Sequence, residues 1–305
     1  MHSNEPVKVP NIAFLGTGIM GAPMCERLLA EGYPLTIWNR TPEKTKALAR
    51  AGATVTETAV QAIAGAEIVI VMLSSGPVVT EVLLSKEMLS AYSANTVVVV
   101  MSSIPVESAR LQSRRFEEYF LGYVDAPVSG GEQGAIEGKL SIMAGGSALS
   151  LQRVQSILSC MGRVIHVGPV GSGQLAKLAN QTIVGITICA VAEALLLAKA
   201  GGADLVAVRE ALLGGFADST ILKQHGARMI VGNFVPGGKA EIQLKDLRTA
   251  CELSESMGMH LPALKLTESL YKAMCDNGYD QLDHSALYLE LSNNQEMAHK
   301  HLGEK

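Results

Sequence analysis

At 305 residues the chain exceeds what one ordinary core supports and implies two domains. Hydrophobic residues make up 48% and aromatics 4%, so the core must be aliphatic, built from Ala, Val, Ile, Leu and Met. A net charge of −4 gives no electrostatic reason to expect nucleic acid or an anionic membrane as partner. Cys25, Cys160, Cys189, Cys251 and Cys275 are scattered without CxxC spacing. They read as reduced core thiols of a cytoplasmic protein, with no Cys/His cluster of the zinc type and no metal expected. The opening MHSNEPVKVP has no charged stretch followed by an apolar one, so it does not read as a signal peptide.

The first element is an apolar strand, Ile12–Leu15, running into Gly16-x-Gly18-x-x-Gly21 and then a helical pattern through Met24, Leu28 and Leu29. Gly16 permits the tight turn, Gly18 lets a pyrophosphate approach the backbone, and Gly21 lets helix and strand pack closely. The loop, with Thr17, Ile19 and Met20 between the glycines, is the expected cofactor cradle. Its exposed N–H groups and the helix dipole favour a bound phosphate. The second strand, Leu35–Trp38, ends in Asn39-Arg40-Thr41. An NAD-binding chain often carries Asp or Glu here, roughly 20 residues past the glycines. A neutral amide in its place does not repel a 2′-phosphate, and the Arg40 guanidinium suits one. Thr41 adds a hydroxyl, and Lys44 offers a second charge. NADP is the expected cofactor, with NAD left open; the competing reading makes Arg40 a solvated arginine in a helix-starting turn.

Further strands are expected at Thr54–Val55, Ile68–Leu73, Thr96–Val100, Gly122–Val124, Leu140–Ala144 and Val164–Val167, with helices between them, among them Pro42–Ala51. Several are continuous Val/Ile runs, as in a parallel sheet covered on both faces. Residues 1–170 are therefore expected to form an α/β, doubly wound Rossmann domain. Leu73, at the end of its strand, joins the expected cofactor set. Gly168–Gly173 breaks the pattern. Beyond it the readings are all helical: Gln174–Lys199, Leu205–Leu213, Thr220–Val231, Ile242–Met257, Pro262–Asn277 and His284–Glu296. Residues 171–305 thus form an all-α domain opened by a long interdomain helix. That helix is apolar nearly all round; its most apolar segment, Ile183–Ala198, carries Glu193 and falls short of a membrane span. It should be buried at a domain or subunit interface, which points to a homodimer or homotetramer.

Three segments carry candidate chemistry. Lys177 has Asn180 and Gln181 three and four residues on, hence near it on the helix surface, among Leu175, Ala176, Leu178 and Ala179. Desolvation there lowers a lysine pKa toward a range useful for proton transfer; alone, a lysine at a helix start more often snorkels to solvent. Asp125-Ala-Pro-Val-Ser129-Gly130-Gly131 ends a strand, and Ser129 with the N–H groups of Gly130 and Gly131 would cradle a carboxylate, or form an ordinary glycine turn. Lys245-Asp246-Leu247, taken alone, is a solvated charge pair. Ser102-Ser103 either touches the nicotinamide or substrate or caps the helix that follows.

Taken together, FLGTGIMGAPM, DAPVSGGEQGAIEGKLSIMAGG, GSGQLAKLANQ and KDLRTA resemble, in order, the signatures of the β-hydroxyacid dehydrogenase family, from Asn11 to about Ser292. The family includes 3-hydroxyisobutyrate dehydrogenases, tartronate semialdehyde reductases and glyoxylate/succinic semialdehyde reductases; KLANQTIVGITICAVAEAL, GGFADSTIL and DHSAL look most like the tartronate semialdehyde branch. The resemblance implies that Lys177 is the catalytic lysine, that Ser129, Gly130, Gly131 and Asn180 or Gln181 bind the substrate, that Ser103 lies by the cofactor, and that Lys245 reaches it from the helical domain. The chain departs from the family at Thr17 (usually Leu), Arg27 (usually Asn) and Gly238 (often Phe), the last removing an apolar wall near the nicotinamide. The expected function is NADP(H)-dependent reduction of a small aldehyde acid, a carboxylate substrate, by hydride transfer with Lys177 as general acid. An imine reductase usually carries Asp or Tyr at the lysine position, so Lys177 argues against that alternative. A non-catalytic dinucleotide-binding scaffold would be expected to lack the lysine.

Overall fold

A computed structural model describes residues 9–293 of the chain. The chain divides into two compact units, Met1–Lys177 and Leu178–Lys305.

The first unit is built on a sheet of nine strands: β1 (Ile12–Leu15), β2 (Leu35–Trp38), β3 (Thr54–Val55), β4 (Ile68–Val71), β5 (Val97–Val100), β6 (Gly122–Asp125), β7 (Val128–Ser129), β8 (Leu140–Gly146) and β9 (Gly162–Gly168). Their order is β3-β2-β1-β4-β5-β6-β8-β7, with β9 paired to β8. From β3 to β6 all pairings are parallel. The apolar runs are buried on both faces because side chains alternate across a strand. Ile12, Phe14, Ile68, Ile70, Val97 and Val99 pack into one core layer. Ala13, Leu15, Val69, Val71, Val98 and Val100 pack into the other. This is the expected Rossmann arrangement, and it places the chain reversal between β1 and β4, where ligands bind beyond the strand ends.

The sheet is parallel-dominated with an antiparallel edge, because β8 runs antiparallel to both β6 and β7. Apolar runs report burial, not direction. Only a short helix, Gly131–Glu137, separates β7 from β8, and the chain doubles back instead of crossing over. The two-residue β7 has too little pattern to be read as a strand.

The helix Ser172–Ala200 spans the division between the units. The second unit is helical, as expected, with Leu205–Leu212, Ala227–Val231, Ala240–Ser256, Pro262–Met274 and a helix over 287–293. Three expected continuous helices are broken. A wide π-type turn, Leu222–Gly226, precedes Ala227–Val231, and a second, Cys275–Tyr279, follows Pro262–Met274. A tight turn, His284–Ala286, opens the last helix, and residues 294–296 of that reading lie outside the described residues. The cysteines are all free, but Cys160 and Cys275 are only partly buried, so the reading of all five as core thiols is corrected.

Candidate active site

The glycine loop is shaped by three close approaches. Gly16 has φ +103°, and a Cβ there would stand 2.2 Å from the Met72 carbonyl oxygen, just past β4. A Cβ on Gly21 would stand 1.9 Å from the Gly16 oxygen. Around Gly18 there is nothing within 4 Å of an added Cβ, so the backbone there faces open space. The helix Gly21–Ala30 begins with no acidic residue in its first turn. This cradle therefore fits the pyrophosphate of a dinucleotide, with Thr17, Ile19 and Met20 carrying the loop between the glycines.

Asn39 braces this loop. The Thr17 N–H donates to Asn39 Oδ1 at 3.0 Å, and Asn39 Nδ2 donates to the Thr41 oxygen at 2.9 Å. Thr17, buried, also donates from Oγ1 to the Lys44 oxygen at 3.3 Å. A leucine could not make the hydroxyl bond. Arg40 and Thr41 are exposed beside this brace, available to a ligand phosphate.

Residues past β4 and β5 are tied to the start of the long helix. The Leu73 N–H donates to Ser102 Oγ at 2.8 Å. The buried Gln174 donates from Nε2 to the Ser102 oxygen at 3.0 Å and accepts from the Ile104 N–H at 3.0 Å. Ser103, half-buried, is held between these two anchored residues. Gln174 was not legible as a site residue, since its partners lie about 70 positions away.

Asp125, at the end of β6, is fully buried. Its Oδ1 accepts the Gly171 N–H at 2.8 Å and its Oδ2 the Gln174 N–H at 2.9 Å. It thus caps the helix that carries Lys177, three residues beyond Gln174. Burial raises the Asp125 pKa to about 6, while backbone N–H groups, led by Gly171 and Gln174, pull it down. A Cβ at Gly173 would stand 2.4 Å from the Met143 oxygen and 2.5 Å from that of Asp125, so the helix start is seated on the strand ends. Lys177 itself is half-buried.

Ser129 ends β7, pairing with Ser141, and is half-buried. Gly130 and Gly131 are exposed and open the helix Gly131–Glu137; Gly130 has φ +135°, which a side chain would strain.

The second unit holds the remaining expected residues in one network. Asn180 Nδ2 donates to Gln181 Oε1 at 2.9 Å. Gln181 Nε2 donates to Asp246 Oδ2 at 2.8 Å and Gln243 Oε1 at 3.1 Å. Lys245 Nζ lies 3.0 Å from Asp246 Oδ1. Asp246 is buried, which corrects its reading as part of a solvated pair. A Cβ at Gly185 would stand 2.9 Å from Gln243 Nε2 and 3.1 Å from a Leu247 methyl, so this glycine lets the two helices close on each other. Gln243 and Asp246 were missed as members of this network, because a helical pattern shows a face but not its partner.

Comparison with known proteins gives the family. Residues 11–168 match the NAD binding domain of 6-phosphogluconate dehydrogenase, and residues 171–291 match the NAD-binding domain of NADP-dependent 3-hydroxyisobutyrate dehydrogenase. The second match contains Ser172–Ala200, the one helix among the described residues long and apolar enough to cross a bilayer, a property shared by core helices of globular proteins. Over 292 residues the chain is 42% identical to 2-hydroxy-3-oxopropionate reductase of Escherichia coli, covering 94% of this chain and 99% of that protein. It is 33% identical over 285 residues to NAD-dependent L-serine dehydrogenase of Pseudomonas aeruginosa, covering 90% and 96%. The solved structure of Mycobacterium tuberculosis 3-hydroxyisobutyrate dehydrogenase with L-serine superposes with a TM-score of 0.86 at 30% identity, covering 93% and 99%. The chain belongs to the β-hydroxyacid dehydrogenase family and is an NAD(P)-dependent oxidoreductase of the 3-hydroxyacid dehydrogenase and semialdehyde reductase type.

Proposed function

We propose that this enzyme reduces a small aldehyde acid, tartronate semialdehyde, glyoxylate or a related semialdehyde, to the hydroxyacid with NADPH. The observation that carries this reading is the end-to-end 42% identity with 2-hydroxy-3-oxopropionate reductase, whose name denotes reduction of tartronate semialdehyde. The Gly16–Gly21 loop would hold the pyrophosphate, and Arg40 with Thr41 the 2′-phosphate, braced by Asn39. Leu73, Ser103 and Lys245 complete the cofactor contacts. A bound nicotinamide supplies the hydride in reduction and takes it in oxidation. Ser129, Gly130 and Gly131 hold the substrate carboxylate, and Asn180 or Gln181 orients the aldehyde. Lys177 Nζ gives its proton to the carbonyl oxygen as the alkoxide forms, and its charge stabilises that oxygen in the transition state. The chain works as a homodimer or homotetramer joined through the helical unit.

The test is a panel of tartronate semialdehyde, glyoxylate, succinic semialdehyde, 3-hydroxyisobutyrate and L-serine, each with both nicotinamide cofactors. The expected result is the highest kcat/KM for an aldehyde acid with NADPH. Highest activity on L-serine with NAD would overturn the substrate and the cofactor together.

A further inference from the structure

Outside the residues assigned above, the fold of the second unit brings two histidines together from distant parts of the sequence. His225 lies in the wide turn Leu222–Gly226, and His284 opens the tight turn His284–Ala286. Their Nε2 atoms are 3.2 Å apart, with the rings perpendicular at 87°. On the far side of His225, Nδ1 lies 3.5 Å from Oδ1 of the fully buried Asp283. No Cys/His cluster was expected from the sequence, because the spacing of these residues carries no ligand motif; the fold alone assembles them.

We infer that His225 and His284, beside the buried carboxylate of Asp283, form a binding site for a borderline transition-metal dication such as Zn²⁺. Zinc–nitrogen bonds of about 2.0–2.1 Å in a tetrahedral arrangement set two ligand nitrogens about 3.3 Å apart. The two Nε2 atoms already stand at that separation. A carboxylate oxygen of Asp283 also lies within 4.8 Å of the histidine ligand atoms, but both oxygens of that carboxylate are already engaged. Its Oδ2 accepts from the N–H groups of Gly237 (2.9 Å) and Gly238 (3.2 Å) and pairs with Arg228 Nη1 at 2.8 Å. Its Oδ1 accepts from the Ser285 N–H at 3.1 Å and Oγ at 2.5 Å. His225 Nδ1, 3.5 Å from Asp283 Oδ1, is buried without a hydrogen-bond partner among the described residues, so the carboxylate acts on the imidazole by charge while Nε2 stays turned toward His284. Arg228 neutralises Asp283, so the local field does not favour a hard cation, and two imidazoles suit Zn²⁺, Cu²⁺ or Ni²⁺ over Mg²⁺ or Ca²⁺. His225 keeps 15% of its side chain exposed. Gly238 packs beside the His284 ring, where a Cβ would be in van der Waals contact at 3.5–3.8 Å from the ring atoms.

Such an ion would tie the 222–226 turn to the 284–286 turn. Asp283 extends the tie to Gly237 and Gly238, directly before the helix Ala240–Ser256 that carries Lys245. The site is thus a clamp on the start of that helix. With two protein ligands the remaining positions go to water, so the ion should exchange readily.

The test uses tag-free full-length protein and Zn²⁺ alone, read by calorimetry and thermal unfolding, with Co²⁺ as a spectroscopic probe. The expected result is one saturable Zn²⁺ per chain, a rise in Tm, and a Co²⁺ spectrum with no thiolate charge-transfer band. His225→Gln and His284→Gln should each weaken binding more than tenfold, while His166→Gln and His260→Gln leave it unchanged. If either Gln variant fails to fold, imidazole ¹⁵N shifts of the unmodified protein decide, and those of His225 and His284 must move with Zn²⁺. No saturable binding, a thiolate band, binding that survives both substitutions, or unmoved His225 and His284 shifts would each overturn the site, leaving the histidines as a proton-sharing pair.

Discussion

Asp125 carries more of the architecture than its motif implies. It sits in the DAPVSGG signature read as a substrate cradle, yet it is fully buried and spends both oxygens on the start of the helix that bears Lys177. Its raised pKa makes a signed prediction. The folded value of about 6 lies above the ordinary carboxylate value of about 3.9, so the folded state binds the proton more tightly. Stability should therefore fall as pH rises from about 4 to about 6 and level off above. The loss attributable to this group is up to ~3 kcal/mol at 1.36 kcal/mol per unit. Urea unfolding across this range should show the slope reduced in Asp125→Asn, and an identical slope in the variant would contradict the assignment. Arg40 makes a second prediction at the same scale. Arg40→Ala should weaken NADPH binding by about 1.5–3 kcal/mol, the worth of a hydrogen bond to a charged group, and leave NADH unchanged in a fluorescence titration. Equal losses for both cofactors would remove the 2′-phosphate role. Arg40 and Lys177 were singled out because a charge in an odd place stands out in sequence, and their roles are proposals that Arg40→Ala and Lys177→Met test. The role of Asp125 was not legible, since burial decides whether a carboxylate meets a ligand or a backbone.

The elements were legible to the degree that local pattern specifies them. Strands β1, β4 and β5 are short apolar runs next to turn residues, and they form where expected. The direction of β8 and the existence of β7 depend on pairing with distant segments, which no local pattern states. In the same way, the link of Gln181 to Gln243 and Asp246 joins positions more than 60 residues apart. The glycine loop separates packing from binding in one comparison. Gly21→Ala forces a Cβ to 1.9 Å from the Gly16 oxygen, so it should lower both thermal stability and cofactor affinity. Gly18→Ala meets nothing within 4 Å, so it should leave stability nearly unchanged while weakening cofactor binding at least tenfold. Melting curves and cofactor titrations on the two variants check this; full affinity in Gly18→Ala would mean that the pyrophosphate does not lie over that residue.

At the scale of the whole molecule, the apolar character of the long helix has a consequence. Ile183 and Leu197 on it remain 66% and 77% exposed in the single chain, and Val206, Phe216, Val231 and Val235 of the helical unit are exposed as well. These exposed residues support the proposal that the helical unit associates with a second copy. Light scattering at micromolar concentration should report a dimer or tetramer, and a stable monomer would show that these residues tolerate solvent. The proposed proton donor of the reaction is Lys177. The measurement that tests this role most directly compares Lys177→Met with the unmodified enzyme in aldehyde-acid reduction, with cofactor affinity measured alongside. General acid catalysis contributes about 10²–10⁴-fold, so kcat should fall at least a hundredfold while NADPH binding is preserved. A variant that keeps more than about a tenth of the turnover would contradict the assignment of Lys177 as the acid.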